Sequence, residues 1–285
     1  MTTSGEFPAL ISPNELANLV RSGEIVVMDC RFNLTKPEAG EAAFQSAHIP
    51  GAAYAHLDRD LASPRGPGSG RHPLPDPAGL SRIFSSWGID RSVRVVAYDD
   101  AGGAVAARLW WLLRWMGHPQ VALLDGGWNA WAETGMPVST ATPDFRPREF
   151  QGRAGQMPVM ETDEIASRLT DDHLLIIDAR ASARYLGQVE PIDPVAGHIP
   201  GAVNLPYQDN LTESGRFRGR TILRQNIDAI IGQRTASDTV VMCGSGVTAC
   251  HNLFSMELAG FSGACLYPGS WSEWIADPRR PVSQG

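Results

Sequence analysis

The sequence predicts an α/β protein built from two similar domains, each with a central parallel sheet flanked by helices. Two observations predict this class. Blocks of the first half of the chain recur in the same order in the second half, which indicates a duplicated domain. Within each half, short apolar runs alternate with amphipathic segments, a pattern typical of parallel strands connected by helices. The length of 285 residues also fits two domains better than one.

The repeated blocks also indicate where the two domains begin and end. In the first half they are VVMDCR ending at Arg31, AHIPGAAY from Ala47, RVVAYD ending at Asp99 and LLDGGWNAW from Leu123. In the second half they are LIIDAR ending at Arg180, GHIPGAVN from Gly197, TVVMC ending at Cys243 and LYPGSWSEW from Leu266. We therefore predict domains at residues 1–140 and 159–285, joined by the Pro- and Arg-containing linker 141–158.

Local signals place several helices between these blocks. The segment SPNE from Ser12 is a capping box with proline at the first helical position, so a helix is expected from there to about Arg21. The sequence TDE from Thr162 opens the matching helix of the second half. The stretch AVAARLWWLLRWMG from Ala104 has apolar residues at helical spacing and ends at Gly117, so we interpret it as a helix packed in a core.

Composition and charge narrow the class of partner. The formal net charge of −7 argues against a nucleic-acid partner, because binding to phosphate backbones requires clustered cations. No apolar run approaches the roughly 18 residues of a membrane span, and the N-terminal MTTSGEFPAL lacks the basic-then-apolar order of a secretory signal. We expect a cytoplasmic protein that binds neither nucleic acid nor membrane. No metal-ligand cluster or nucleotide-binding loop is present in the sequence, so no cofactor is expected.

One of the four cysteines lies in a context that favours chemistry. Cys243 follows an apolar run and precedes the glycine-rich GSG, after which VTACHNLFSMELAG has helical spacing and ends at Gly260. A strand, a tight loop and a helix N-terminus direct backbone N–H groups towards an anion, which favours a thiolate over a thiol and also suits a persulfide. The alternative, a buried structural thiol, is our interpretation of Cys30, Cys250 and Cys265. Because the four contain no CxxC, we expect free thiols.

The first half supplies an internal comparison. Asp99 stands where the second half has Cys243, and a carboxylate has no nucleophilic sulfur chemistry. We therefore expect only the second domain to be catalytic. A cysteine-dependent phosphatase or arsenate reductase of related loop design needs an arginine six residues after the nucleophile, and here that residue is Ala249. Phosphoryl transfer is therefore not expected.

These motifs together resemble those of the tandem rhodanese-domain sulfurtransferases, over essentially the whole chain. The resemblance implies two rhodanese-like domains and a persulfide on Cys243, formed from a small anionic donor, either 3-mercaptopyruvate or thiosulfate. It implies a thiol acceptor such as reduced thioredoxin, or cyanide. It also implies an anion cradle from the backbone N–H groups of the residues after the cysteine, including Gly244, Gly246, Val247 and Thr248. The uncharged Gly244-Ser245 resembles the mercaptopyruvate-using branch, since the thiosulfate-using branch usually has Arg and Lys there.

The same resemblance implies further site residues. Mercaptopyruvate-using members are proposed to have a serine, a histidine and an aspartate that activate the donor, and the matching residues are Ser245, His72 and Asp58. Arg184 matches the first of two arginines that bind the donor carboxylate. The second arginine is missing, because the shorter segment before the second HIPGA carries Ile192-Asp193 there.

Residues duplicated in both halves receive a structural interpretation, since only one half is expected to react. They are Asp29, Arg31, His48, Asp178, Arg180 and His198. Three functions stay open at this point. A mercaptopyruvate sulfurtransferase leads, a thiosulfate sulfurtransferase is the second, and a non-catalytic sulfur carrier or redox-sensing interaction protein is the third.

Overall fold

The strands of the chain form two separate parallel sheets in a computed structural model that describes residues 7–23 and 25–285. The first unit comprises the described part of Met1–Leu61 with Pro75–Gln156 and Ser214–Arg216, and the second comprises Ala62–Leu74, Met157–Glu213 and Phe217–Gly285. The domain boundaries stay a prediction. In the structure Ala62–Leu74 groups with the second unit, whereas Ser214–Arg216 and most of the predicted linker 141–158 group with the first.

The structure bears on the expectations about a secretory signal and a membrane span to different extents. Residues 1–6, on which the argument about a secretory signal partly depends, lie outside the described residues. Across residues 7–23 and 25–285, every helix is too short or too polar to cross a membrane.

The first unit contains a five-stranded sheet in the order β1-β5-β4-β2-β3, with every neighbouring pair parallel. Its strands are β1 (Leu10–Ile11), β2 (Ile25–Asp29), β3 (Ala52–Tyr54), β4 (Arg94–Tyr98) and β5 (Val121–Leu124). Its helices are α1 (Pro13–Ser22), α2 (Glu38–Ser46), α3 (Leu57–Asp60), α4 (Pro77–Ser86), α5 (Ala106–Trp115) and α6 (Gly127–Glu133). The central strands are buried on both faces, which explains their continuous apolar sequences.

The second unit repeats this arrangement in a four-stranded parallel sheet of order β7-β6-β8-β9. Its strands are β6 (Leu175–Asp178), β7 (Val203–Asn204), β8 (Thr239–Met242) and β9 (Cys265–Leu266). Its helices are α7 (Thr162–Ser167), α8 (Ser182–Tyr185), α9 (Arg220–Ile231), α10 (Thr248–Ala259) and α11 (Ser270–Trp274), with short 3₁₀ turns at Tyr207–Asn210 and Ala236–Asp238. A parallel bridge from Val159 to Leu266 takes the place that β1 has beside β5. The two sheets confirm the predicted α/β fold and its duplication.

The helix signals of the sequence are confirmed. The Ser12 hydroxyl accepts the N–H of Glu15, and the Glu15 carboxylate accepts the N–H of Ser12, so α1 begins with a complete capping box. Helix α5 is buried almost throughout and Gly117 follows it with φ +84°. Helix α10 ends at a left-handed Gly260.

The duplicated Asp-x-Arg motif has the same local geometry in both units. Arg31 forms an ion pair of 2.6 Å with Asp29 and donates to the Ala47 carbonyl at 2.7 Å. Its guanidinium also lies over the ring of Trp128, 4.4 Å from the centroid. In the second unit, Arg180 makes the same set of contacts, with Asp178, the Gly197 carbonyl and Trp271. These contacts support the structural interpretation of the motif.

The duplicated histidines also have matching partners. His48 Nδ1 lies 2.7 Å from the Phe44 carbonyl and its ring stacks on Phe44, while His198 has the same relation to Tyr185. Each histidine therefore ties the HIPGA block to the helix before it, α2 in one unit and α8 in the other.

We predict that Gly127 requires glycine for two separate reasons, which a matched pair of alanine variants separates. Gly51 and Gly127 both have left-handed backbones, φ +78° and +56°, so alanine at either should cost about 1 kcal/mol in the free energy of unfolding. A Cβ at Gly51 meets open space, whereas one at Gly127 would lie 2.1 Å from the Asp99 carbonyl oxygen. Urea unfolding should therefore show a clearly larger loss for Gly127→Ala, and equal losses would contradict the role of the close approach.

Candidate active site

Cys243 lies at the end of the central strand of the second sheet. It directly follows β8, which pairs with β6 on one side and β9 on the other, and it is 2% exposed. Four residues, 244–247, connect it to α10. Gly246 in this loop has φ +75°, and a Cβ there would lie 2.4 Å from the Pro268 carbonyl oxygen. Only glycine allows the loop to lie so close to the chain before α11.

The first turn of α11 holds the cysteine backbone in place. The Ser270 hydroxyl accepts the Cys243 N–H at 3.1 Å, and the Trp271 N–H donates to the Cys243 carbonyl at 3.0 Å. Ser270 also donates to the Tyr267 carbonyl at 2.8 Å. It is the one non-glycine residue in the described part of the chain with a positive φ, +53°, a conformation that persists only where surrounding contacts enforce it.

The first unit confirms that Asp99 is the structural counterpart of Cys243. Asp99 directly follows β4, as Cys243 follows β8, and the Trp128 N–H donates to its carbonyl at 2.8 Å as Trp271 does to Cys243. Gly127, at φ +56°, takes the place of Ser270. Six residues, 100–105, separate Asp99 from α5, so this loop is two residues longer than the four-residue loop 244–247.

The Asp99 carboxylate shows what this position in the fold favours. One oxygen accepts the N–H groups of Ala101 and Gly103, and the other accepts those of Val105 and Ala106, each at 2.8 Å. Four convergent backbone donors at the start of a helix form an anion site. In the first unit the protein's own side chain occupies that site, whereas in the second the corresponding side chain is a thiol.

Ser245 and His72 form a buried pair in the second unit. The Ser245 hydroxyl lies 2.7 Å from His72 Nδ1, and the two residues are 6% and 4% exposed. His72 belongs to the segment Ala62–Leu74, which packs closely on the start of α11. The Arg71 N–H donates to the Ser272 hydroxyl at 3.0 Å, and a Cβ at Gly70 would lie 2.6 Å from the Gly269 carbonyl oxygen.

Arg184, on the short helix α8, lies beside the residue that follows the cysteine. A Cβ on Gly244 would be 3.6 Å from Arg184 Nη1 and 3.7 Å from its Nη2. Arg184 Nε and Nη2 donate to both carboxylate oxygens of Glu190 at 2.7–3.1 Å, so the guanidinium is fixed in orientation. Burial on its own would raise the pKa of Glu190, but the hydrogen bonds and charge of Arg184, together with the N–H groups of Asp193 and Ile192, lower that pKa below its usual value.

Sequence reasoning does not single out Arg71, yet its guanidinium is the side-chain group that would come nearest to a Cβ on Gly244. Arg71 Nη2 would lie 2.8 Å from that Cβ. The sequence signal is its place in GRHPLP, directly before His72. Its acidic partner is Asp193, which is 122 residues away in the sequence, and no local sequence pattern predicts a pair with that separation.

The remaining predicted residues have different positions. Val247 is the N-cap of α10 and Thr248 its first residue, and their part in an anion cradle stays a prediction. Asp58 lies on α3 of the first unit and is exposed, and its part in a set with Ser245 and His72 stays a prediction.

The expectation of free thiols is confirmed for all four cysteines. Cys30 and Cys250 are buried and Cys265 is half-buried. Burial raises the pKa of the Cys30 thiol, and the charges of Asp99, Asp29 and Asp60 raise it further. Burial also raises the pKa of Cys265. Both Cys30 and Cys265 are therefore poor sources of thiolate, which agrees with a packing role.

A model of the rhodanese-like domain matches the chain twice, at residues 12–134 and 161–277. The chain belongs to the rhodanese family. Each match contains the central strands of one of the two parallel sheets, so the resemblance in the sequence motifs is confirmed.

Relatives of this rhodanese protein extend over nearly its whole length. A probable 3-mercaptopyruvate sulfurtransferase of Pseudomonas aeruginosa is 47% identical over 278 residues, which cover 97% of this chain and 98% of the relative. A putative thiosulfate sulfurtransferase, SseB, of Mycobacterium tuberculosis is 38% identical over 285 residues, 97% of each chain. The solved 3-mercaptopyruvate sulfurtransferase from Leishmania major has a TM-score of 0.85 at 31% identity, covering 98% of this chain and 77% of the other. The rhodanese chain is thus similar throughout to enzymes named sulfurtransferases.

We predict that the carboxylate of Asp99 stabilises the first unit by satisfying its loop. Asp99→Ala would leave four N–H donors, three of them buried, without their acceptor and should lower the free energy of unfolding by about 3 kcal/mol in urea titrations. The neighbouring Asp100 is exposed, and Asp100→Ala is the control, with an expected change within about 0.5 kcal/mol. Similar losses in both variants would argue against an anion site at this loop.

Proposed function

We propose that the protein is a sulfurtransferase that takes a sulfur atom from 3-mercaptopyruvate onto Cys243 and passes it to a thiol or cyanide. One observation carries the proposal. The nucleophilic sulfur of Cys243 occupies the position at which the first unit holds a carboxylate on four backbone N–H groups. A loop of this design favours negative charge on whatever side chain stands there. The sulfurtransferase names of the full-length relatives support the same assignment.

The first half-reaction moves one sulfur from donor to enzyme. The Cys243 thiolate attacks the sulfur of 3-mercaptopyruvate, forming the S–S bond while the donor's C–S bond breaks. The electron pair of that bond passes to carbon as the enolate of pyruvate, which then takes a proton. The enzyme is left as Cys243–S–S⁻, and the backbone donors of Gly244 to Thr248 are the groups available to stabilise its charge.

The second half-reaction returns the enzyme to its starting state. An acceptor thiolate or cyanide attacks the outer sulfur of the persulfide, so that the S–S bond breaks and its electron pair returns to Cys243 as thiolate. The product is a persulfide of the acceptor, or thiocyanate. We propose reduced thioredoxin as one thiol acceptor. We also propose that the protein itself is cytoplasmic and binds neither nucleic acid nor membrane, in keeping with its net charge of −7.

The Ser245–His72 pair supplies the proton chemistry that a mercaptan donor requires. Its hydrogen bond of 2.7 Å holds the hydroxyl at a defined position one residue from Gly244. An imidazole can both accept and donate a proton, so His72 can accept the donor's thiol proton through Ser245 and return a proton to the enolate. We propose Asp58 as the third member of this set.

Thiosulfate is the second candidate donor. The Mycobacterium tuberculosis relative is named a thiosulfate sulfurtransferase, and two guanidiniums beside Gly244 are groups that an inorganic dianion would also use. Mercaptopyruvate is favoured because Gly244 and Ser245 are uncharged and because a proton-transfer pair stands next to the loop.

We predict that incubation with 3-mercaptopyruvate adds the mass of one sulfur atom to the protein. Intact-mass spectrometry of the wild type should show the added sulfur, and Cys243→Ser should abolish it. Cys250→Ser is the matched control, since Cys250 is a buried thiol on the adjoining helix and should leave the added mass intact. Absence of the added mass from the wild type, or its persistence in Cys243→Ser, would overturn the proposed function.

We predict that His72→Ala separates the two donors. Its loss removes the proton relay, so kcat/KM for 3-mercaptopyruvate should fall about 100-fold, whereas that for thiosulfate, which has no thiol proton to lose, should fall less than about tenfold. The measurement is steady-state kinetics with both donors, and the wild type should prefer 3-mercaptopyruvate.

The control for this comparison is His173→Ala, because His173 is an exposed histidine of the same unit and its loss should change neither value. Equal losses with both donors in His72→Ala would contradict the relay. A wild type that prefers thiosulfate would overturn the assignment of the donor.

A further inference from the structure

Three consecutive residues at the start of α11 hold three consecutive peptide groups of the loop that begins with the nucleophile. The Ser270 hydroxyl accepts the N–H of Cys243 at 3.1 Å, which fixes the peptide group before the nucleophile. The N–H groups of Trp271 and Ser272 donate to the carbonyls of Cys243 and Gly244, each at 3.0 Å, and fix the next two peptide groups. The contact of Ser270 is made by a side chain, so a substitution can remove it.

The same contacts decide in which direction the N–H groups of this loop point. The C=O and the N–H of a trans peptide group point in opposite directions, because the group is planar. Since the carbonyls of Cys243 and Gly244 point towards α11, the N–H groups of Gly244 and Ser245 point away from it. These two N–H groups are the first donors of the proposed anion cradle. The N–H of Cys243 is committed to Ser270 and is not one of them.

Ser270 makes its contact with Cys243 in a backbone conformation that is unfavourable for serine. Its φ of +53° lies in the left-handed region, which favours glycine, and the residue is 0% exposed. Its hydroxyl hydrogen is donated to the Tyr267 carbonyl at 2.8 Å, so the hydroxyl oxygen is left to accept the Cys243 N–H. The conformation of Ser270 and the orientation of its hydroxyl therefore both serve the contact with the nucleophile.

The first unit shows that the fold itself does not require this hydroxyl. Gly127 takes the place of Ser270 there with φ +56°, and the Trp128 N–H still donates to the Asp99 carbonyl at 2.8 Å. A Cβ on Gly127 would lie 2.1 Å from that same carbonyl oxygen, so this position has no room for a side chain. The unit that holds a carboxylate at the end of its strand thus has glycine here, and the unit that holds a thiol has a strained serine.

We infer that Ser270 is a positioning residue for sulfur transfer, whose hydroxyl fixes the backbone of Cys243 so that the thiolate meets the donor sulfur in line. The inference rests on the proposed function and adds a residue to that same site. Both half-reactions are displacements at sulfur and need the attacking atom, the attacked sulfur and the leaving group in one line. A nucleophile misplaced by about 1 Å loses about two orders of magnitude in rate. Ser270 acts on this alignment through the Cys243 N–H.

The test compares two substitutions in the full chain that both remove the hydroxyl but differ in backbone strain. In Ser270→Gly and Ser270→Ala, kcat should fall at least about tenfold with 3-mercaptopyruvate and with thiosulfate, while KM changes less than about threefold, because Ser270 holds the nucleophile and not the donor. Ser270→Gly relieves the left-handed strain and should therefore melt about 3 °C above Ser270→Ala. Rates are measured well below both melting temperatures, so that an unfolded fraction does not contribute.

The matched control is Ser255→Ala, which removes another fully buried hydroxyl of the same unit. Ser255 lies on α10, and its Oγ has no hydrogen-bond partner within the described residues, so kcat and KM should stay at their wild-type values. An equal fall of kcat in this control would overturn the inference.

The outcomes separate the inference from the proposed function. An active wild type whose kcat is unchanged in Ser270→Gly overturns the inference and leaves the proposed function standing, since a residue needed only for the fold would alter the melting temperature alone. If Ser270→Ala does not fold, Ser270→Gly decides. A wild type that transfers sulfur from neither donor overturns the proposed function.

Discussion

The structure of the first unit depends on the backbone N–H groups that converge at the end of its central parallel strand. Three of these donors, the N–H groups of Gly103, Val105 and Ala106, are buried, and buried donors must be satisfied. In the first unit the carboxylate of Asp99 satisfies four of them at 2.8 Å. In the second unit Cys243 stands at the same point, and the hydroxyl of Ser270 and the N–H of Trp271 hold its backbone. The same point of the fold therefore holds a stabilising contact in one unit and a candidate reaction site in the other.

Comparison of the two duplicated units distinguishes structural residues from candidate catalytic residues better than the type of amino acid does. The motif containing Asp29 and Arg31 recurs with Asp178 and Arg180 at nearly identical distances, each arginine paired, hydrogen-bonded and stacked on a tryptophan. A charged pair with the same partners in both units serves the fold. The groups that lack counterparts in the other half, among them Ser245, are the ones that gather around Cys243. The difference between the two halves thus identifies the site.

Features that depend on short sequence motifs could be predicted from the sequence, whereas contacts between residues far apart in the chain could not. The repeat, the capping box of α1 and the equivalence of Asp99 and Cys243 all follow from short motifs and their order. The place of Arg71 does not, because its partner Asp193 lies 122 residues away and the pair exists only after the segment Ala62–Leu74 packs on the second unit. The positive φ of Ser270 is equally invisible, since serine has no preference for that conformation and only the surrounding contacts enforce it.

The different loop lengths determine what it would take to convert the loop of the first unit into that of the second. The loop after Asp99 has six residues and the loop after Cys243 has four, and the longer loop is fitted to the two oxygens of a carboxylate. A cysteine at position 99 would offer one sulfur in place of two oxygens and leave donors without an acceptor. A point mutation of this codon therefore does not recreate the reactive loop, because two residues would also have to be deleted. Each of the four backbone contacts of the Asp99 carboxylate is therefore a contact that a cysteine in the first copy would have to give up.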